Sequence, residues 1–124
     1  MACRHAQLSS PRALPGHPLY GALFETAMAT ELLKQASTLA TRPVFHHWRT
    51  AGGAEVDLIL ERDGMLHPFE IKLTAVPTRR TAAGIEAFRQ AHTHLRVATG
   101  ALLCGVEKPR WISDQVVALP WNIL

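Results

Sequence analysis

Apolar residues recur with a helical period from about Leu19 to Thr38, in LYGALFETAMATELLKQAST. Leu23, Phe24 and Ala27, then Met28, Leu32 and Ala36, fall three or four positions apart, the spacing of one helix face. Pro43 stops the run, because a proline pushes the residue before it out of the helical region. VFHHWRT (44–50) is short and rich in β-formers, which predicts a strand, and AGG (51–53) predicts a turn. Residues 53–73, GAEVDLILERDGMLHPFEIKL, read as two strands around Asp63-Gly64. PTRRTAAGIEAFRQAHTHLR predicts a helix from about Thr78 to His92, with Ile85 and Phe88 turned inward and Thr78 or Thr81 as its cap. GALLCGV (100–106) reads as a buried strand with Cys104 as a small core residue, and DQVVALPWNIL supplies a last strand. Trp111 and Trp121 are expected to pack rather than to stack on bases. Residues 1–18 hold three prolines and no sustained period, so they read as a mobile lead-in or linker remnant, leaving 19–124 as one domain.

Asp-Gly between alternating apolar runs is a strong local indication of a two-residue β-turn. With Asp63 and Gly64 at its centre, Arg62 pairs with Met65 and every cross-strand pair has numbers that sum to 127. Asp57 then lies opposite Glu70, and Glu55 opposite Lys72. Val56, Leu58 and Leu60 share a face with Met65, Phe69, Ile71 and Leu73, which is the expected core face. Glu55, Asp57, Glu70 and Lys72 gather on the other face, away from the turn. Pro68 cannot donate to a ladder, so its strand is expected to be an edge there or to carry a bulge.

Two carboxylates directly opposite one another repel. Such a pair persists when one holds a proton, when a cation bridges them, or when water screens them. Hard oxygen ligands on a rigid sheet suit Mg²⁺ (or Mn²⁺), and Lys72 beside the ion would orient a water and stabilise charge on a phosphate in transfer. The alternative is a solvated sheet face with Glu55–Lys72 as an ordinary cross-strand ion pair.

Composition changes this picture little. In 124 residues, 48% hydrophobic and 19% charged content is that of one globular domain. The net charge of +3 is compatible with a polyanionic partner without requiring one. Cys3 and Cys104 fit no zinc-ribbon spacing and favour a reducing, cytoplasmic setting over a disulfide scaffold. No apolar run reaches the ~20 residues of a membrane span, so no membrane partner is expected. Arg4 precedes no apolar core, so no secretory signal is expected at the N-terminus. His46 and His47, as strand neighbours, point to opposite faces, and with no CxxC or HExxH motif no zinc site is expected. His47 is a lesser candidate for a general base near the carboxylates.

Asp57, a spacer and then Glu70-Ile71-Lys72 resembles the D…(D/E)xK motif of the PD-(D/E)XK, restriction-endonuclease-like nucleases. PLYGALFETAMATELLK, FHHWRTAGGAEVDLIL and LHPFEIKL together resemble the C-terminal domain, of unknown function, of a large group of bacterial and archaeal AAA+ family ATPases. The resemblance covers about Pro18 to Val106. It implies an α/β fold with an αβββαβ core, a central mixed sheet with helices on both sides. It further implies that a helix acid joins the strand acids, a role that Glu25 matches by position, with Glu31 as the competing choice. The Ile71 carbonyl would join Asp57 and Glu70 on the metal, and Lys72 would act in catalysis. DNA is the implied substrate, with Lys72, Arg79 and Arg80, extended by Arg89 and Arg96, as a basic rim for phosphates. The alternative for these arginines is a solvated helix face. A homodimer is a further expectation. The chain lacks GxxxxGK[ST], so it cannot hydrolyse ATP by that route and would be a detached or truncated relative of such an ATPase. Some domains of this kind serve as binding or regulatory modules, and that reading stays open beside the nuclease one.

Overall fold

A computed structural model describes residues 19–123. The expected lead-in, residues 1–18, and Cys3 lie outside the described residues. Helix α1 (Tyr20–Ala36) leads into strands β1 (Val44–Arg49), β2 (Glu55–Arg62) and β3 (Met65–Ile71). Helix α2 (Ala83–Ala91) follows, then β4 (Gly100–Cys104), β5 (Arg110–Ser113), β6 (Val116–Pro120) and a 3₁₀ turn over Trp121–Ile123. The strands form one six-stranded mixed sheet in the order β1-β2-β3-β4-β6-β5, flanked by the two helices. The order contains the expected αβββαβ run. β4 lies parallel to β3 and to β6, and the remaining pairs are antiparallel.

The hairpin register follows from its turn. Asp63 and Gly64 have φ of +54° and +76°, the two left-handed residues of a type I′ turn. Arg62 pairs with Met65 and Leu58 with Phe69, so the sum of 127 holds along the ladder. Gly64 carries its positive φ without a Cβ penalty. Gly64→Ala is therefore expected to cost about 1–2 kcal/mol in urea denaturation, although the added methyl meets open space. A stability unchanged within error would show that the turn relaxes to another type.

Both sheet faces are covered, which corrects the expectation of one core face and one charged face. Ile85 and Phe88 of α2 pack with Val56, Ile59, Leu102, Cys104, Val116 and Ala118 in one buried cluster. Leu58, Leu60, Ile71 and Leu103 are buried as well. Helix α1 buries Leu32 and Ala36 and contacts β3. Leu73, expected in the core, is 44% exposed because β3 ends at Ile71.

Several expectations shift in detail. α2 begins at Ala83, not Thr78, because Thr78–Ala83 closes tight turns through Thr81 N–H to Thr78 O and Ala82 N–H to Arg79 O. Thr81 Oγ1 accepts from the Thr78 N–H at 3.1 Å, so it closes that turn and caps no helix. Pro68 sits in a central strand between β2 and β4, not at an edge, and the ladder shows no bulge beside it. The nearby Val97 and Ala98 carbonyls accept from the Arg89 guanidinium instead. That makes Arg89 a tie across the β3–β4 connection, held also by Gln115 at 2.9 Å, and neither a solvated arginine nor part of a basic rim. Trp111 is 62% exposed on edge strand β5, which the sequence reading did not anticipate, and Trp121 is 44% exposed and packs edge-on against Phe24. No helix among the described residues is long and apolar enough to cross a membrane.

Candidate active site

Beyond Leu58–Phe69, hydrogen bonds between β2 and β3 pass through two carboxylates. The Ile71 N–H donates to Asp57 Oδ2 at 3.1 Å, and the Asp57 N–H donates to Glu70 Oε1 at 3.3 Å. Each acid is thus fixed by the backbone of the other's strand, and the two lie together as the hairpin register predicts. Glu70 is only 4% exposed, the one buried charged residue among those described. This excludes the solvated-face alternative for that position. Glu70 pairs laterally with Leu102, which packs beneath α2, so the acid belongs to the covered face.

The cover is close because the first turn of α2 carries Gly84. A methyl group there would strike the Glu55 backbone carbonyl and come within 3.2 Å of Glu70 Oε2. Sequence reading did not single out Gly84. A glycine inside a predicted helix is the trace it left, since such a residue costs helix stability and is kept where something approaches its backbone.

Glu25 of α1 reaches the same end of the sheet. Lys72 Nζ lies 3.6 Å from Glu25 Oε1, with side chains 40% and 32% exposed respectively. Glu31 instead bonds Gln35 and Lys34 along the helix surface, away from the other acids. Glu55 does not pair with Lys72. Arg49 of β1 grips it with two guanidinium nitrogens at 3.2 and 3.0 Å. The bulge between His46 and Trp48 sets Arg49 opposite Glu55 in the ladder.

Electrostatics follow from this crowding. Burial pushes the Glu70 carboxyl up to about 9, with the hydrogen bond and charge of Asp57 acting in the same direction and Lys72 only partly offsetting them. Glu70 therefore holds its proton at neutral pH. Burial also raises Glu25, offset in part by Lys72. Burial pulls Lys72 down, but the charges of Glu25, Glu70 and Asp57 outweigh it and hold the ammonium protonated.

The other sequence candidates lie elsewhere. Arg79 and Arg80 are exposed in the turn before α2, and Arg79 lines a separate hollow with Glu86 and Asp114. His47 faces a cavity shared with His46, Trp48 and Glu61, toward the turn end of the hairpin rather than beside the carboxylates. Among the described residues, no three His, Cys, Asp or Glu side chains converge as a ready-made metal cluster.

Residues 20–124 match the family model described as a domain of unknown function, DUF4143. An uncharacterized protein of Mycobacterium bovis and another of Mycobacterium tuberculosis are each 35% identical over 108 residues. The alignment covers 87% of this chain and 22% of each relative, so the chain spans about a fifth of the length of the curated relatives it matches. With its matched segment running from the start of α1 through β6, the chain belongs to the DUF4143 family of domains of unknown function.

Proposed function

We propose that this domain is a metal-dependent phosphodiesterase of the restriction-endonuclease-like kind, acting on DNA and related to the C-terminal domain of AAA+ ATPases. The observation that carries the reading is the convergence of Asp57, Glu70, Lys72 and Glu25, drawn from β2, β3 and α1 to one end of the sheet. The donor set suits a hard cation. A buried acid that holds a proton beside a second carboxylate is one whose charge a divalent ion would neutralise instead. Asp57, Glu70 and the Ile71 carbonyl would hold Mg²⁺ or Mn²⁺, which would retain several waters and so needs few protein ligands.

When bound, that ion would acidify a water and polarise a phosphoryl oxygen. Lys72, protonated and flexible, would place its ammonium against a phosphate oxygen and stabilise the charge that develops there. Glu25 holds that ammonium in position, and releasing it toward substrate requires only rotation of two partly exposed side chains. Ile71 N–H fixes Asp57, so the acid keeps its orientation through the reaction.

Plasmid nicking with Mg²⁺ or Mn²⁺ tests the reading. The wild-type protein is expected to nick, and Asp57→Ala and Lys72→Met are each expected to lose roughly 100-fold or more. Nicking unchanged in both variants would place the activity elsewhere. A second reading, a non-catalytic module that binds nucleic acid or a partner protein, is favoured by the 4% exposure of Glu70 under α2. Saturable metal binding with no nicking by any preparation would select it.

A further inference from the structure

The hairpin has a second feature of chemical interest, at the end opposite the carboxylates. A cavity of about 330 Å³ opens there between β1, the turn and the C-terminal end of α2. That volume is at the lower end of the range for small-molecule sites. Its base is apolar, from Ile59 and Phe88, both buried.

Its aromatic walls meet as a corner. Phe88 and His92 lie 4.5 Å apart and tilted by 36°, whereas Trp48 stands at 75° to both, 5.4 and 5.8 Å away. A corner offers a planar ring one stacking face and one edge contact, the two arrangements that aromatic quadrupoles favour. His92 Nδ1 donates to the Phe88 carbonyl at 2.8 Å, which fixes the imidazole plane. Polar groups ring the opening: Glu61, bonded to His46 Nε2 at 2.7 Å, and the exposed Arg96. A cation would meet Arg96 and lacks the enclosing faces of an aromatic cage. A wholly apolar ligand would leave the charged rim unused.

We propose that this cavity binds a nucleotide, with the base in the aromatic corner, an exocyclic amino group donating to Glu61 and the phosphate at Arg96. The chemistry is the same for an unpaired nucleotide of a strand and for a free nucleotide, since stacking and a single phosphate contact serve both. The inference stands apart from the carboxylate site: a domain that cleaves nothing could still hold a nucleotide here.

The indole N–H resonance of Trp48 in the full chain, assigned by its loss in Trp48→Phe, gives the readout. AMP, UMP and single-stranded hexa-adenylate are the probes. AMP is expected to shift the resonance saturably at ~10 mM or below, and UMP, lacking the amino group, to bind roughly fivefold more weakly. Glu61→Ala is expected to narrow that difference to what the larger stacking face of adenine supplies, and Arg96→Gln to weaken both nucleotides roughly tenfold. Both side chains are exposed, so neither variant removes core packing. Hexa-adenylate at least tenfold tighter than AMP identifies an unpaired strand as the source, and equal affinity identifies free nucleotide; either supports the site. No shift with any of the three probes at ~10 mM overturns the proposal. So do shifts unchanged in both variants, or saturation by tetramethylammonium without a response to AMP.

Discussion

Glu70→Gln is expected to be more stable than the wild-type protein at pH 9, equal to it at pH 4, and unable to bind metal. The folded state holds the Glu70 carboxyl at about 9, whereas an unfolded chain releases that proton near 4.5. Between those values the folded state binds more protons, so wild-type stability contributed by the neutral acid is complete below about 4.5 and is lost as pH rises toward 9. The slope is at most about 1.4 kcal/mol per pH unit. Glutamine mimics the protonated acid. Its oxygen accepts from the Asp57 N–H and its amide donates to the Asp57 carboxylate, with no charge left to desolvate. The difference in melting temperature between variant and wild type is therefore expected to grow across pH 5–9, reaching roughly 10 °C or more. Titrating groups remote from Glu70 are shared and cancel in the difference. Parallel curves across that range would show that Glu70 is not held neutral. The same substitution removes a ligand charge, so stability and metal affinity move in opposite directions, a pattern expected where a site retains costly charge for function.

Gly84→Ala is expected to destabilise the protein by about 2–3 kcal/mol, although glycine to alanine in a helix ordinarily gains up to about 1 kcal/mol. The new methyl strikes the backbone carbonyl of Glu55, which belongs to β2 and cannot swing aside as a side chain would. α2 must lift away from β2, which loosens Ile85 and Phe88 over the core and uncovers Glu70. Gly21→Ala in α1 serves as the control, because its methyl meets nothing within 4 Å, and it is expected to be neutral or slightly stabilising. Urea denaturation of both variants decides the matter. A stabilised Gly84→Ala would show that α2 does not sit where this packing requires.

What the sequence revealed and what it withheld divide along the distance of the interaction. The Asp63-Gly64 turn is local chemistry, and a type I′ turn fixes the pairing on both sides of it, so the meeting of Asp57 and Glu70 was legible residue by residue. α1 was legible from its periodicity, and the resemblance singled out Glu25, whose carboxylate meets Lys72. The burial of Glu70 was not, because the covering helix lies more than ten residues further on and its closeness depends on a missing Cβ at Gly84. The partner of Glu55 was hidden for a related reason. A bulge that sets Asp57 and Leu58 of β2 against His47 of β1 shifts register by one residue, and no turn residue announces it. Arg89 read as a surface arginine because its partners are carbonyls of a connection, which leave no trace in side-chain pattern. His47 was drawn toward the carboxylates by its chemistry alone, and the strand carries it to the cavity at the other end.

The central claim is that Asp57 and Glu70 form one site in which a divalent cation and a proton exclude each other. Proton release on adding Mn²⁺ or Mg²⁺ at pH 7.5, measured by calorimetry in two buffers of different ionisation enthalpy, tests it most directly. The account expects saturable binding with about one proton released per ion, affinity that rises with pH up to about 9, and loss of both in Asp57→Ala and Glu70→Gln. No saturation at tens of millimolar metal, or binding that releases no proton and persists in Glu70→Gln, would contradict it.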